Sequence, residues 1–448
     1  MIRSKEAEKG LFRGASAGFL LLCLLVPAVA QATFIDGLGV GARPMAMGSA
    51  YTAVSDDLMA IYYNPAGLAQ IERHEILLGY LWSGPSLNAR PLSGGSFHVE
   101  QVVPYELKTP VIAVGFNVDR LFKEVLPLHL RVGVLTLIPD NFQSAYRLWD
   151  PDPSTPRWVR AGDYWDRIHL LGAISLQPEG VPWISVGVGF CLIASGRGDL
   201  LPRYGTSGAD LVLRGLSGEV LTAEGNLDIE VDHEAAPTAG VMLTPIQGLR
   251  LGYCFRNSFS LVAGSNTGAI EAHILVGEKE WVVPLVPAVT FEGFYVPQQH
   301  NFGAAYQWNE RLLISFDLSW FRWSDYASES RGTPDPPWQD TIIPRLGIEV
   351  RPWKALALRL GYFFEPSPVA EQNRGSNYLD NDRHAFSFGA GYTFADPLQI
   401  VREAMEVDLV VHYIHMPSRR TVKEAGFSPD FETEGEILSV GGNVTFRF

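Results

Sequence analysis

The sequence predicts an all-β fold, a transmembrane antiparallel β-barrel of about fourteen strands with a lumen plugged by a small N-terminal hatch with short helices. Three observations lead to this prediction. The chain opens with an export signal, and no later apolar run approaches the ~20 residues of a helical span. Its strands alternate apolar with small or polar residues up to an aromatic last residue, Phe448. Hydrophobic residues make up 47% of the chain and charged residues only 19%, a balance typical of β structure in or near a membrane.

The first 32 residues have the layout of a secretory signal peptide. Basic residues precede the apolar run from Phe19 to Val29, and small residues follow it. We expect cleavage after Ala32, with Ala30 as the second choice. An uncleaved anchor is disfavoured because the run is about half the ~20 residues that cross a bilayer. Lipid attachment at Cys23 is disfavoured because Leu22, and not a small residue, precedes it.

These features predict three parts and a location. Residues 1–32 are the signal peptide, 33–72 the hatch and 73–448 the barrel. A glycine- and aromatic-rich exported chain without helical spans is either a soluble periplasmic protein or an outer-membrane barrel. The alternation of apolar with small or polar residues along the strands favours the barrel. We therefore expect export through the general secretory route to the outer membrane of a Gram-negative cell, with contacts to outer-membrane lipid and to the barrel assembly machinery.

The stretch from Gly37 to Gln70 is the predicted plug. It is too interrupted by glycine and proline to form one helix, and too apolar for a solvated tail. Asp56 and Asp57 suit the start of a helix. Asn64 followed by Pro65 suits its end, because a residue before proline avoids the α region. A compact segment of this kind needs walls to pack against.

Alternation at period two identifies the wall. In the last strand Leu438, Val440 and Val444 share one face, while Ser439 and Asn443 share the other. The same pattern recurs along the chain, in predicted strands near 73–84, 107–119, 127–138, 164–177, 182–194, 228–245, 248–260, 298–308, 311–321, 341–351, 355–364, 384–395, 405–416 and 436–448. The connections alternate between short turns and long loops, which is the asymmetry of a bacterial barrel. It predicts that the short turns lie on the periplasmic side, together with the plug and Phe448.

Three places in the chain resemble the FadL-type outer-membrane transporters of long-chain fatty acids and other hydrophobic compounds. The hatch contains GARPMAMGSAYTAVSDD and then NPAGLA. The second place is VPQQHNFGAAYQWNERLLISFDLSWFRW, with SPVAEQNR and DNDR beyond it, and the third is FETEGE. The resemblance implies a fourteen-stranded barrel closed by the hatch, with a hydrophobic ligand captured outside and released sideways or inward after the hatch shifts. Barrels that serve protein secretion share the hatch motif.

An apolar hatch offers a dry surface on which an alkyl chain gains ~0.8 kcal/mol per buried methylene. The candidate ligand-binding residues of the hatch are its large apolar side chains, Met45, Met47, Leu58, Met59 and Ile61. The alternative reading for each residue is ordinary packing against the barrel wall.

A fatty acid also carries a carboxylate, which needs a cation in a lumen of low dielectric constant. Strand parity places four arginines and four other ionisable residues inward, and we expect most of these to pair with one another: Arg250, Arg256, Arg351, Arg359, Asp317, Glu349, Asp408 and His412. Arg197 has fewer acids nearby in sequence and is the candidate headgroup contact. Arg374, Asp380, Asp382 and Arg383 lie in the loop motifs that match the family. The alternative to a functional role for Arg374 and Arg383 is that they form salt bridges with Asp380 and Asp382 that fold the loop.

The Asn64, Pro65 and Ala66 motif predicts a tight bend, because asparagine caps backbone groups and proline fixes φ. The resemblance adds a role as the hinge of the hatch. We expect no catalytic residues, no cofactor and no metal, because the sequence lacks a nucleophile elbow, an HExxH pattern and metal-ligand spacing of its histidines. Cys191 and Cys254, with a strand between them, are expected to be free thiols.

The resulting functional prediction is passive uptake of long-chain fatty acids or other apolar small molecules across the outer membrane. The main alternative is a barrel that handles protein cargo in secretion, and a second alternative is a general polar porin. The net charge of −14 argues against nucleic acid as a partner.

Overall fold

The computed structural model describes fifteen segments of the chain. They are residues 37–92, 106–119, 127–140, 153–154, 156–160, 168–194, 197–200, 227–230, 233–264, 270–276, 279–286, 290–327, 332–396, 403–425 and 429–448. For 193–194, 197–200, 227–230, 233–235, 259–264, 270–276, 279–286 and 290–294, the description is limited to the backbone. The predicted signal peptide lies outside the described residues.

Fourteen antiparallel strands form a closed barrel, as predicted. The first half comprises β1 (Glu75–Pro91), β2 (Leu107–Asn117), β3 (Leu128–Leu137), β4 (His169–Pro178), β5 (Ile184–Ala194), β6 (His233–Ile246) and β7 (Leu249–Arg256). The second half comprises β8 (Gln299–Asn309), β9 (Leu312–Phe321), β10 (Thr341–Trp353), β11 (Leu356–Glu365), β12 (Arg383–Ala395), β13 (Ala404–Thr421) and β14 (Phe431–Arg447). Each strand pairs with the next along the chain, and β1 closes the barrel on β14.

The wall follows the predicted alternation. On β9 the side chains of Ile314, Phe316 and Leu318 are 36–45% exposed, whereas Ser315 and Asp317 are 1% exposed. A strand presents successive side chains to opposite faces, so one face meets lipid and the other meets the lumen. Outward apolar residues therefore form the membrane surface, and inward small or polar residues face the hatch.

Three strands are longer than predicted at the end of the barrel that carries the long connections, called the loop end below. β1 continues to Pro91, β13 continues to Thr421, and β14 already begins at Phe431. Their added residues include an exposed ion pair between Arg90 and Glu432. The alternation signal stops where a strand leaves the membrane, because both faces there are free to be polar. The predicted boundaries therefore correspond to the points where these strands leave the membrane, and the strands themselves continue beyond them.

Some predicted connections contain short strands of their own. Phe259–Gly264 pairs with Thr290–Val296, and Ile270–Val276 pairs with Lys279–Val286. Arg157–Trp158 pairs in parallel with Tyr378–Leu379, and this pair joins two distant loops over the loop end. The opposite end carries the short turns and Phe448 and is called the turn end.

The hatch crosses the lumen and follows the inner wall. It contains α1 (Ala42–Ala46), α2 (Ala60–Tyr63) and a 3-10 helix (Pro65–Gln70). Asp57 Oδ1 accepts from the backbone N–H of Met59 just before α2, and α2 ends at Asn64, as the sequence predicted. Helices this short depend on packing for their stability. Within the described residues, no helix is long and apolar enough to cross a membrane.

Candidate functional site

The five predicted apolar residues of the hatch lie together inside the barrel. Met45, Met47, Leu58, Met59 and Ile61 are each 2% exposed or less. Leu58 packs over Gly115 of β2, and Ile61 packs over Gly133 of β3. Both residues thus make the wall contacts of ordinary packing. The described arrangement fills the lumen with apolar side chains, and their role toward a ligand stays a prediction.

One cavity beside the described part of the hatch is small. A cavity of about 20 Å³ lies between the hatch and the wall, and its lining includes Tyr62, Tyr63, Arg256, Asn301 and Arg345. This volume suits about one water molecule and is too small for an alkyl chain. Asn301 is buried, and its Nδ2 has no hydrogen-bond partner among the described residues. A ligand in this cavity would have to displace the side chains that line it.

The bend at Asn64, Pro65 and Ala66 is fixed to the wall by hydrogen bonds. The Asn64 amide donates to the carbonyls of Thr52 (2.9 Å) and Val241 (3.2 Å), and its Oδ1 accepts from Ala66 N–H at 3.2 Å. The Ala66 carbonyl accepts from the hydroxyls of Ser175 (3.0 Å) and Ser185 (2.9 Å). The predicted tight bend is present. Sequence reasoning missed the two serines, whose inward parity on β4 and β5 was the available signal.

An ion network joins the hatch to the wall toward the turn end. Arg43 of α1 contacts Asp56, Asp57 (3.5 Å) and Glu349 of β10 (2.9 Å). The wall continues the network through Arg359, whose guanidinium contacts Glu349 at 2.7 Å and Asp408 of β13.

Most of the remaining inward ionisable residues contact the same network or the hatch. Arg250 pairs with Asp56 at 3.0 Å, and Arg351 pairs with Glu349 at 2.8 Å. Asp317 accepts from the backbone N–H of Thr52 at 2.8 Å. Four of the eight predicted inward residues, Arg351, Arg359, Glu349 and Asp408, pair with one another as expected. Arg250, Arg256 and Asp317 instead contact the hatch, and His412 contacts the Ser387 hydroxyl. Sequence reasoning missed Arg43, the residue that links hatch and wall.

A second ion cluster covers the hatch at the loop end. Arg160 is 1% exposed and contacts Glu365 (2.9 Å) and Asp380 (2.8 Å). Arg383 lies beside them, 3.6 Å from Glu365 and 4.0 Å from Asp380. Burial lowers the pKa of the Arg160 guanidinium, but Asp380 and Glu365 raise it more and hold it above its ordinary value. A Cβ at Gly37 would lie 3.0 Å from Arg383 Nη1, so the hatch starts directly beneath this cluster.

The loop motif residues do not all join this cluster. Arg383 pairs with Asp380 as expected. Arg374 instead pairs with Glu424 at 3.5 Å on the surface, and Asp382 accepts from the Ser367 backbone N–H at 2.8 Å. The alternative of salt bridges with the two aspartates therefore holds for Arg383 with Asp380 but not for Arg374, because the β13–β14 loop lies closer to Arg374. Arg160 was missed because it lies in a loop far away in sequence.

Five aromatic residues form a packed cluster above the lumen at the loop end. The Tyr326 and Trp338 rings stack with centroids 4.2 Å apart, and Trp338 meets Trp323 edge-on at 5.7 Å. Tyr295 and Tyr378 flank them. The indole N–H groups of Trp323 and Trp338 are buried without a hydrogen-bond partner among the described residues. The tryptophans of FRWSDY and TPDPPWQD signalled this cluster, which the sequence reasoning did not assign.

Arg197, the predicted headgroup contact, begins the short strand Arg197–Leu200. This strand pairs with Leu227–Glu230, and the register places Arg197 opposite Glu230. The side chains of both strands lie outside the described residues. The role of Arg197 therefore stays a prediction.

Comparison with known proteins agrees with this architecture. Residues 185–448 match the family model of the outer membrane protein transport proteins (OMPP1/FadL/TodX). The chain is 22% identical over 441 residues to "Alkane uptake protein A" of Marinobacter nauticus, an alignment that covers 92% of this chain and 91% of the relative.

Solved structures share the fold. A FadL homologue from Pseudomonas aeruginosa superposes with a TM-score of 0.55 at 13% identity, covering 94% of this chain and 99% of the homologue. The toluene transporter TodX from Pseudomonas putida superposes with a TM-score of 0.53 at 15% identity, covering 94% of this chain and all of TodX. The family match extends over more than half of the sequence, and it is a family of transport channels and not of enzymes. The chain therefore belongs to the OMPP1/FadL/TodX family of outer-membrane transporters of hydrophobic compounds.

Proposed function

We propose that this protein carries long-chain fatty acids or other apolar small molecules passively across the outer membrane. The observation that carries the proposal is the apolar filling of the lumen by Met45, Met47, Leu58, Met59 and Ile61. A polar channel would need a hydrated lumen, whereas this interior favours a ligand that gains ~0.8 kcal/mol per buried methylene. The similarity to an alkane uptake protein supports the same chemical class.

The ligand first meets the aromatic cluster at the loop end, which faces the cell exterior. The rings of this cluster pack against one another with centroids 4.2–6.0 Å apart, and Trp323, Tyr326 and Trp338 are only 4–7% exposed, so an incoming alkyl or aromatic molecule has to displace them before it can pack against their faces. The ligand then reaches the hatch, whose described apolar side chains are buried against the wall. Delivery therefore requires a rearrangement of the hatch, and the bend at Asn64, Pro65 and Ala66 acts as its hinge.

The test is uptake by proteoliposomes. Vesicles with the protein should take up radiolabelled palmitate and hexadecane faster than protein-free vesicles, and should exclude a small sugar. Lipid bound in the lumen of the purified protein would further support transport. Absence of both bound lipid and uptake would favour the alternative of a component for protein secretion. A steady ion conductance in planar bilayers would indicate a polar porin.

Arg197 is the proposed contact for the ligand carboxylate at the loop end. Arg197→Ala should weaken palmitate binding by roughly 1.5–3 kcal/mol, the scale of a hydrogen bond to a charged group, and should leave hexadecane binding almost unaltered. Arg374→Ala is the matched control, because it removes an arginine that is 65% exposed. Dye displacement measures both ligands. Equal losses for palmitate and hexadecane would contradict the headgroup assignment.

A further inference from the structure

Among the described residues, nine glycines on nine different barrel strands contact the hatch closely. A Cβ built on any of them would lie 1.9–2.8 Å from an atom of hatch residues 46–66. These positions form the glycine belt: Gly115, Gly133, Gly187, Gly240, Gly252, Gly303, Gly347, Gly361 and Gly389. Contacts under 3.0 Å leave no room for a methyl group unless the neighbouring atom moves.

Most belt glycines lie opposite another belt glycine on a neighbouring strand. Four neighbouring strand pairs place one belt glycine opposite another, namely Gly115 with Gly133, Gly187 with Gly240, Gly252 with Gly303, and Gly347 with Gly361. The belt glycines lie on nine of the fourteen strands, and β4, β9 and the adjacent strands β13, β14 and β1 carry none. On β4, β9 and β14 polar side chains contact the hatch instead, namely Ser175 with Ala66, Asp317 with Thr52 and Asn443 with Ala42.

Backbone conformation does not explain these glycines. None of the nine has φ in the left-handed region, so each strand position would accept a residue with a side chain. Glycine inside a strand weakens it, because it costs conformational entropy and packs no side chain. The remaining explanation is close approach of the hatch.

The contacts are of two kinds. At Gly115 the obstacle is the Leu58 Cδ2 atom at 2.4 Å, which is the end of a side chain. At Gly361 the obstacle is hatch backbone, with Gly48 N at 1.9 Å and Met47 C at 2.4 Å. Gly48 itself has φ +60°, and a Cβ on it would lie 2.6 Å from Tyr362 N of β11. Hatch and wall glycines thus allow the two backbones to touch.

We propose that the glycine belt is the seal that excludes small polar solutes, with its glycines acting as positioning residues that seat the hatch against the wall. The seal determines which polar solutes are excluded from the lumen, and it does so independently of which apolar ligand the barrel carries. A methyl group on the belt pushes the hatch away from its seat and opens a gap for water and ions.

The experiment measures ion conductance in planar bilayers and uptake of a chromogenic cephalosporin by cells. Gly361→Ala should raise both by about tenfold or more, since overpacking strain of ordinary size shifts an equilibrium by that factor. Heat-modifiable migration in gels reports the folded barrel. Gly442→Ala is the control, because a Cβ there meets Leu409 Cδ2 at 2.8 Å and no hatch atom is among its nearest neighbours. Its conductance should equal that of the wild type.

A double-mutant cycle keeps the test decisive even where Gly361→Ala fails to fold. The Gly115→Ala variant should show a raised ion conductance. Adding Leu58→Ala should lower this conductance below that of Gly115→Ala alone, because the new methyl group occupies the space left by the leucine side chain. Leu58→Ala should not reduce the leak of Gly361→Ala, where the obstacle is backbone. Wild-type conductance in folded Gly115→Ala, or an equal leak in Gly442→Ala, would overturn the proposal.

Discussion

At the scale of single residues, Arg43 determines how the hatch is held. It is a hatch residue that contacts two carboxylates of the hatch and one of the wall, Asp56, Asp57 and Glu349. Glu349 is 3% exposed, so its charge depends on nearby cations for compensation. Without Arg43, Glu349 keeps Arg351 and Arg359 and Asp56 keeps Arg250, but Asp57 loses the one cation that contacts it among the described residues. A buried charge left without its partner costs more than the pair contributed.

Arg43→Ala should therefore lower the free energy of unfolding by about 3–5 kcal/mol. Chemical denaturation of the purified protein, followed by tryptophan fluorescence, measures this change. Arg374→Ala, which breaks an exposed pair with Glu424, should cost less than about 1 kcal/mol. Similar small losses in both variants would show that Arg43 is dispensable for anchoring the hatch.

At the scale of elements, the bend between α2 and the 3-10 helix is attached to three neighbouring strands. Asn64 contacts a carbonyl of β6, while serines of β4 and β5 both donate to Ala66. A buried carbonyl with two donors keeps one when either serine is lost, so this attachment is redundant. The Asn64 side chain has no such substitute, because one amide joins three backbone groups.

Asn64→Ala should leave equilibrium capture of palmitate near normal and slow its delivery into vesicles, because the variant alters the bend and not the capture surface. Stopped-flow uptake and dye displacement separate the two quantities. Ser175→Ala is the matched control, since Ser185 still donates to Ala66 at 2.9 Å. Unchanged delivery in Asn64→Ala would reduce the motif to a structural turn.

At the scale of the whole molecule, the closed barrel and its hatch depend on each other. The wall provides inward glycines, serines and charges, and the hatch provides the apolar bulk that fills the lumen. A barrel of this strand number without its filling would hold water. The short helices of the hatch in turn have no stability without the wall.

Deletion of residues 37–68 should therefore convert the protein into an open pore with a steady conductance in planar bilayers. The barrel strands and their closure by β1 on β14 lie outside the deleted stretch, so heat-modifiable migration should persist. A folded deletion variant with the conductance of the intact protein would contradict the assignment of this stretch as the plug.

The sequence by itself determined the barrel, the number of its strands and the presence of a hatch. These features rest on local patterns, namely the alternation of side chains across a strand and the turn residues between strands, which act between near neighbours in the chain. The bend at Asn64 and the inward position of Asp317 and Arg359 followed from the same local rules.

Only the tertiary structure decided which distant groups meet. Arg43 with Glu349, Arg160 with Asp380, and the two serines with Ala66 are separated by more than 100 residues each. The glycine belt is also of this kind, because its meaning depends on what lies opposite each glycine and not on its neighbours in sequence. The alternation along a strand predicts which side chains face the lumen. The path of the hatch through the closed barrel determines which partner each of them contacts there.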